Sequence, residues 1–327
     1  MVHLRIPCTP EKASDLLAYL ARIDLAAHVA HLAGVSPGPD SDLVMCDLPR
    51  EAGSAVIRSL RGLGHEEIFV HAVDAAVSRR GERAALAAPG TAADAVLWEE
   101  VTAKTSESSE LTVTYLLFMI VATAFGAIGV LTDSVILIVG AMVVGPEFGP
   151  LAGLCVASAE RRWRLAASSG FALVFGFVVA ILMTYVLVLL LVAAGAAPEV
   201  PAHHPATLFI SRPDAYSAVV ATLAGIVGML SLTTAKSGAL IGVLISVTTI
   251  PAAGNIAVAA VYRNGDELSG AITQLGLNLS LLVAAGLATL AVQRLAFTRR
   301  LRQLFARSVA RRLKARTFDR DPPPRRG

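Results

Sequence analysis

Glu147 is an acidic side chain in the middle of a long apolar run, and its neighbours Pro146, Gly149 and Pro150 are residue types that disrupt a helix. A second interruption, Pro251-Ala252-Ala253-Gly254-Asn255, falls inside another apolar run. Proline removes a backbone donor and its ring clashes with the preceding turn. In hydrocarbon every freed carbonyl or amide must find a partner inside the protein, so broken helices at membrane depth line a site or a water-filled path. A carboxylate inside a span costs a few kcal/mol to insert. Two readings of Glu147 follow: a pathway carboxylate suited to a proton-coupled step, or a hydrated group where the break brings the chain near an interface.

Other polar residues share these runs. Asn255 has the chemistry to cap a broken helix or to coordinate a polar solute. Gln274 and Asn278 are four apart, hence on one helix face, where they can bond a neighbouring helix or a solute. Thr248, Thr249 and Ser246 are expected to bond back to their own helix. The expected pathway residues are therefore Pro146, Glu147, Gly149, Pro150, Pro251, Gly254, Asn255, Gln274 and Asn278.

Positioning them requires membrane helices. Of 327 residues, 55% are hydrophobic and only 16% charged, too apolar for a soluble globule of this length. Apolar runs near 112–131, 134–157, 165–194, 215–233, 237–262 and 269–292 predict six spans, each meeting the requirement of roughly 20 residues. Arg161, Arg162 and Arg164 follow the second run, Lys236 the fourth, and a basic tail the sixth. The positive-inside rule puts these segments and both termini in the cytoplasm. A shift of 105 places Pro146 on Pro251, Gly149 on Gly254 and Ile136 on Ile241. Each copy would be the middle span of a three-span unit, so the second unit would run inverted, as in many secondary transporters.

The rest of the chain is organised around this segment. Residues 1–76 alternate strand-like and helical patterns in the order βαββαβ, predicting a small α+β ferredoxin-like domain. Residues 77–110 read as a linker followed by an amphipathic helix, 111–292 as the membrane domain and 293–327 as a basic cytoplasmic tail. That tail suits anionic lipid, and nucleic acid is not an expected partner. Three cysteines without CxxC spacing suggest neither a disulfide framework nor a thiolate metal site. His28 and His31, three apart in an expected strand, should point to opposite faces, which argues against a metal cluster.

The runs LTDSVILIVGAMVVGPEFGPLAG at 131–153, WEEVTAKTSESSELTVTYLL at 98–117 and GALIGVLISVTTIPAAGN at 238–255 resemble a hydrophobic membrane family, domain of unknown function 389. The resemblance covers roughly 98–292 and implies a bacterial or archaeal membrane home; it supplies no substrate. Two departures from the family pattern are Glu147, where an apolar residue is usual, and Thr249-Ile250-Pro251, which replaces a double proline.

These readings converge on an α-helical polytopic protein of a bacterial cytoplasmic membrane that forms a homo-oligomer and uses no cofactor. The function expected is a transporter or channel-like permease for a small polar solute or ion, with the N-terminal domain as its regulator. The alternative is a membrane-anchored sensor or oligomeric scaffold. An enzyme is not expected, since no paired carboxylates, HExxH or nucleophile–base pattern is present.

Overall fold

The computed structural model describes residues 1–38, 40–73, 76–88, 95–197, 207–234 and 248–320, with side chains as far as 296. Contacts divide the chain into two compact units, Met1–Glu99 with Val292–Gly327, and Glu100–Ala291.

In the first unit, β1 (Val2–Cys8), α1 (Pro10–Ala21), β2 (Ala27–Leu32), β3 (Asp42–Leu48), α2 (Arg50–Gly62) and β4 (Phe69–Ala72) follow the expected βαββαβ order. The sheet order is β2-β3-β1-β4, with every neighbouring pair antiparallel. Strict alternation buries Val2, Leu4, Ile6 and Cys8 of β1 and Val44, Cys46 and Leu48 of β3 on one face. Ala13, Leu16 and Leu20 of α1 and Ala52, Val56, Ile57 and Leu60 of α2 close the core over that face. Thr9 caps α1 by accepting from the Lys12 N–H, and Pro10 occupies the first turn, where no donor is lost.

The core also takes in Leu97, well beyond Ala76. Ser54 fixes this return: its Oγ accepts from the Trp98 N–H at 3.0 Å and donates to Glu99 Oε2 at 2.6 Å. Within the stretch expected to be a linker, Arg79–Ala87 forms a helix, α3. Its alanines favour helix, and Ser78 supplies the cap, accepting from the Gly81 N–H.

The histidines here pair with aspartates. His3 Nδ1 and His28 Nδ1 lie 2.7 and 2.8 Å from the two Asp47 oxygens, and His31 Nε2 lies 2.7 Å from Asp42 Oδ2. β2 is not the regular strand that the face argument assumed. Its register shifts between Ala27 and Ala30, and His28 has φ 48°. Among the described residues no three His, Cys, Asp or Glu side chains are grouped to hold a metal. The Gly34 N–H, and next the His31 ring, hold the Asp42 carboxyl below its ordinary range.

A fragment ending at Glu99 is expected to be soluble, to give a mixed α and β circular dichroism spectrum and to melt cooperatively. One ending at Ala76 should melt lower, because it lacks Leu97. Burial and then the Lys12 charge push the His65 imidazole below its ordinary value. The folded state thus resists protonation of His65, and its contribution to stability is complete above about pH 6.5 and is lost as pH falls towards the lowered value. Melts of the Glu99 fragment between pH 7.5 and 5 should show this loss, and His65→Gln should reduce it. Identical pH profiles for the two proteins would refute the assignment.

The chain passes into the second unit along α4 (Trp98–Ser108). There follow α5 (Val113–Leu131), α6 (Val135–Val144), α7 (Phe148–Ala159), α8 (Trp163–Ala193), a 3-10 turn (Leu208–Ile210), α9 (Ala215–Thr233), α10 (Thr249–Val261) and α11 (Gly265–Arg320). Among the described residues four helices are long and apolar enough to cross a membrane: α5, α8, α9 and the Gly265–Ala296 part of α11. The pair α6 and α7, bent by 48°, makes a fifth if it is one span. The predicted span at 237–262 falls partly outside the described residues, and α10 alone has 13 residues, too short to cross.

Side-chain distribution agrees with a lipid surround. Val113, Ile136, Phe171, Val174, Leu190 and Leu223 are all more than half exposed, a surface water would not favour. Ala172, Gly176, Ala180, Thr184 and Val188 recur every fourth residue along α8 and are buried, so one face of that helix packs inward on small side chains. Thr112, Ser134 and Asp214 cap α5, α6 and α9 by accepting first-turn N–H groups.

Candidate functional site

The break between α6 and α7 is confined to Gly145, Pro146 and Glu147. Helix α6 ends as Gly145 turns extended, with φ −63° and ψ 127°. A Cβ on Gly145 would lie 2.6 Å from Ile250 Cγ1 and against Glu147 Oε2, so only glycine fits this approach. Phe148, Gly149 and Pro150 are already helical. Pro150 stands in the first turn of α7, where its missing donor has no partner to lose. The disruption is thus narrower than the Pro146 to Pro150 block expected from sequence.

The second expected break differs more. Pro251, Ala252, Ala253, Gly254 and Asn255 are all inside α10, which begins at Thr249. Pro251 sits in the first turn of that helix, a position that tolerates proline for the same reason as Pro150. Pro146 therefore lies between helices and Pro251 within one. Under the shift of 105, Phe148 at the start of α7 falls on Ala253, in the body of α10.

Glu147 is buried, at 5% exposure. Its Oε1 accepts from the Thr249 hydroxyl at 2.8 Å, joining the starts of α7 and α10. Partial positive charge at helix starts favours a carboxylate there. Thr248, the residue before α10, accepts at its Oγ1 from Asn278 Nδ2 at 2.9 Å and from Gln274 Nε2 at 3.2 Å. Gln274 Nε2 also lies 3.5 Å from Asn278 Oδ1. One polar cluster thus links the break, the start of α10 and one face of α11.

Thr249 donates its hydroxyl to Glu147 and not back to its own helix as expected; the carbonyls to which Thr248 could bond back lie outside the described residues. Both side chains join the polar cluster, where the sequence suggested only a bond to their own helix. Ser246 lies outside the described residues.

The glycines and the remaining polar groups complete the picture. A Cβ on Gly254 would lie 2.6 Å from the Ala127 nitrogen and 2.9 Å from the Thr123 oxygen, so α5 and α10 touch backbone to backbone. Gly149 is placed by a different neighbour, with the Ser108 carbonyl oxygen 2.6 Å from its Cβ position. Asn255 and Gln274 are buried, and Asn255 Oδ1, Gln274 Oε1 and Glu147 Oε2 accept no hydrogen bond from the described residues. Orphaned acceptors at this depth are costly and call for a partner.

No curated protein and no solved structure matches the chain. A match to a protein family exists and takes in the break, α10 and the polar face of α11 together. Residues 142–284 match the family model described as Domain of unknown function (DUF389), the family that the blocks around Pro146 and Pro251 resemble.

Proposed function

We propose that this membrane protein is a transporter or channel-like permease for a small polar solute or ion, with its pathway at the Glu147–Thr249 junction. The observation that carries the reading is the buried carboxylate itself, held at a helix break and bonded to Thr249 at the start of α10. A passive anchor has no need of a disrupted helix or of an inserted charge costing a few kcal/mol. In this reading the chain makes six spans, with residues 237–247 completing the span that contains α10. The two three-span units form an inverted repeat, and the protein is a homo-oligomer of the bacterial cytoplasmic membrane. The N-terminal unit, whose strand order is that of a ferredoxin-like sandwich, acts as a cytoplasmic regulator, and the basic tail rests on anionic lipid. Its chemistry is movement of solute and not bond making or breaking.

Reconstituted liposomes loaded with ions and small metabolites test the function. Flux above protein-free vesicles supports it, whereas a sealed bilayer for every solute favours the sensor or scaffold reading. Topology is tested separately with single cysteines at positions 162 and 205 and an impermeant maleimide. Position 162 is expected to be reactive only from the cytoplasm and position 205 only from outside. Labelling of both from one side would overturn the six-span inverted arrangement.

A further inference from the structure

The hydrogen-bond inventory of the polar cluster is unbalanced in one direction. The Thr249 hydroxyl is spent on Glu147, the Gln274 and Asn278 amide groups both donate to Thr248, and that of Gln274 also faces Asn278 Oδ1. What remains among the described residues is oxygen: Glu147 Oε2 and Gln274 Oε1, on side chains that are 5% and 1% exposed. Reversing the Gln274 amide alone would set its oxygen against Asn278 Oδ1, two acceptors face to face. Thr123 on α5, the helix in backbone contact with α10, adds a buried hydroxyl without a partner among the described residues.

The backbone offers an anion few donors. An anion at a helix start is held by the unpaired N–H groups of the first turn. Here Pro150 in α7 and Pro251 in α10 each remove one of those donors, and the Gly149 N–H is turned back to the Pro146 carbonyl. An anion would in addition meet the Glu147 carboxylate. Among the described residues of this unit, Glu147 is the single buried Asp, Glu, Lys or Arg. One carboxylate among neutral oxygens balances one positive charge; a divalent ion would leave a charge uncompensated in a medium that penalises it.

We infer that the junction of the α6–α7 break with α10 and α11 is a binding site for a monovalent alkali cation, with Glu147 as its counter-charge and the Gln274 side-chain carbonyl as a neutral ligand. The inference deepens the transport reading and rests on it for its purpose, but binding is measurable without flux.

The test uses the purified full-length protein in detergent at fixed pH and ionic strength. Thermal melts are recorded while choline chloride is exchanged for sodium or potassium chloride, and binding of radiolabelled sodium is measured in parallel with unlabelled sodium, potassium or choline as competitor. A ligand that binds only the folded state raises the melting temperature as it saturates. The expected result is a saturable rise of a few degrees in one alkali chloride over choline, with sodium binding displaced by alkali cations and not by choline. Glu147→Gln should lose both responses while melting cooperatively in choline. If that variant does not fold, the wild-type binding and competition data decide alone. Equal melts in all three chlorides with no displaceable sodium would overturn the inference, as would stabilisation that follows sulfate or phosphate at constant choline. The two proposals fail separately: cation binding without any flux removes the transport reading and keeps the site, whereas flux of a solute with no cation response does the reverse.

Discussion

Glu147→Gln is expected to leave the protein folded and inserted but to lower solute flux in liposomes by about tenfold or more, equivalent to roughly 1.4 kcal/mol or more on the barrier. Glutamine has the shape of glutamate, and its remaining carbonyl oxygen can still accept from the Thr249 hydroxyl, so the 2.8 Å link between the starts of α7 and α10 need not be lost. What disappears is the buried negative charge and the free acceptor at Oε2, which becomes a donor. Removing an inserted charge should leave stability unchanged or raise it. Glu110→Gln is the control, because Glu110 is exposed. Glu160 would serve less well, since its carboxylate accepts from the Thr102 hydroxyl at 3.1 Å. Equal flux in the wild type and Glu147→Gln would reduce Glu147 to a structural link between two helices.

The second large effect concerns stability. Gly254→Ala would place a methyl group 2.6 Å from the Ala127 nitrogen and 2.9 Å from both the Gly126 carbonyl carbon and the Thr123 oxygen. All three are backbone atoms of α5, so no side chain can rotate away, and the helices must separate. A cost of about 1–3 kcal/mol is the usual scale of such overpacking. The variant should melt several degrees lower and yield less monodisperse protein. Gly276→Ala, where nothing lies within 4 Å of the added Cβ, is the comparison. Equal melting of the two variants would show that α5 and α10 are free to move apart, contrary to the packed arrangement.

The features legible from sequence were those with a short-range cause. The helix break at Pro146 was readable because proline and glycine act on their own turn, and the βαββαβ order because burial alternates visibly along Val2–Cys8 and Asp42–Leu48. Pro251 looked equivalent to Pro146, but it stands in the first turn of α10, where the missing donor has no intrahelical partner to lose, and the start of that helix at Thr249 could not be located from composition. The same blind spot hid Thr248 and Thr249. Their hydroxyls meet Glu147, Gln274 and Asn278 because a helix begins there, a fact of tertiary structure. Leu97 was legible only as part of an amphipathic pattern with Val96 and Val101, which does not say that its side chain joins the core of the first unit. Gln274 and Asn278 were legible as a pair from their spacing of four, and only the structure names Thr248 as their common acceptor.

All three cysteines are buried free thiols. Burial pushes the Cys46 thiol up to about 12, and burial followed by the Asp42 charge raises that of Cys8. Thiolate is the reacting species, so at neutral pH these sulfurs are inert towards alkylation while the fold holds. Cys155 is shielded as well, within hydrogen-bond range of the Val283 carbonyl at 3.7 Å. The native protein therefore behaves chemically as if it had no cysteine, and a reporter thiol introduced on its surface can be read without first deleting the natural ones. Conversely, Cys46 becomes reactive when the first unit opens and Cys155 when the second does, so the order in which an alkylating probe marks them on heating is a record of which unit melts first.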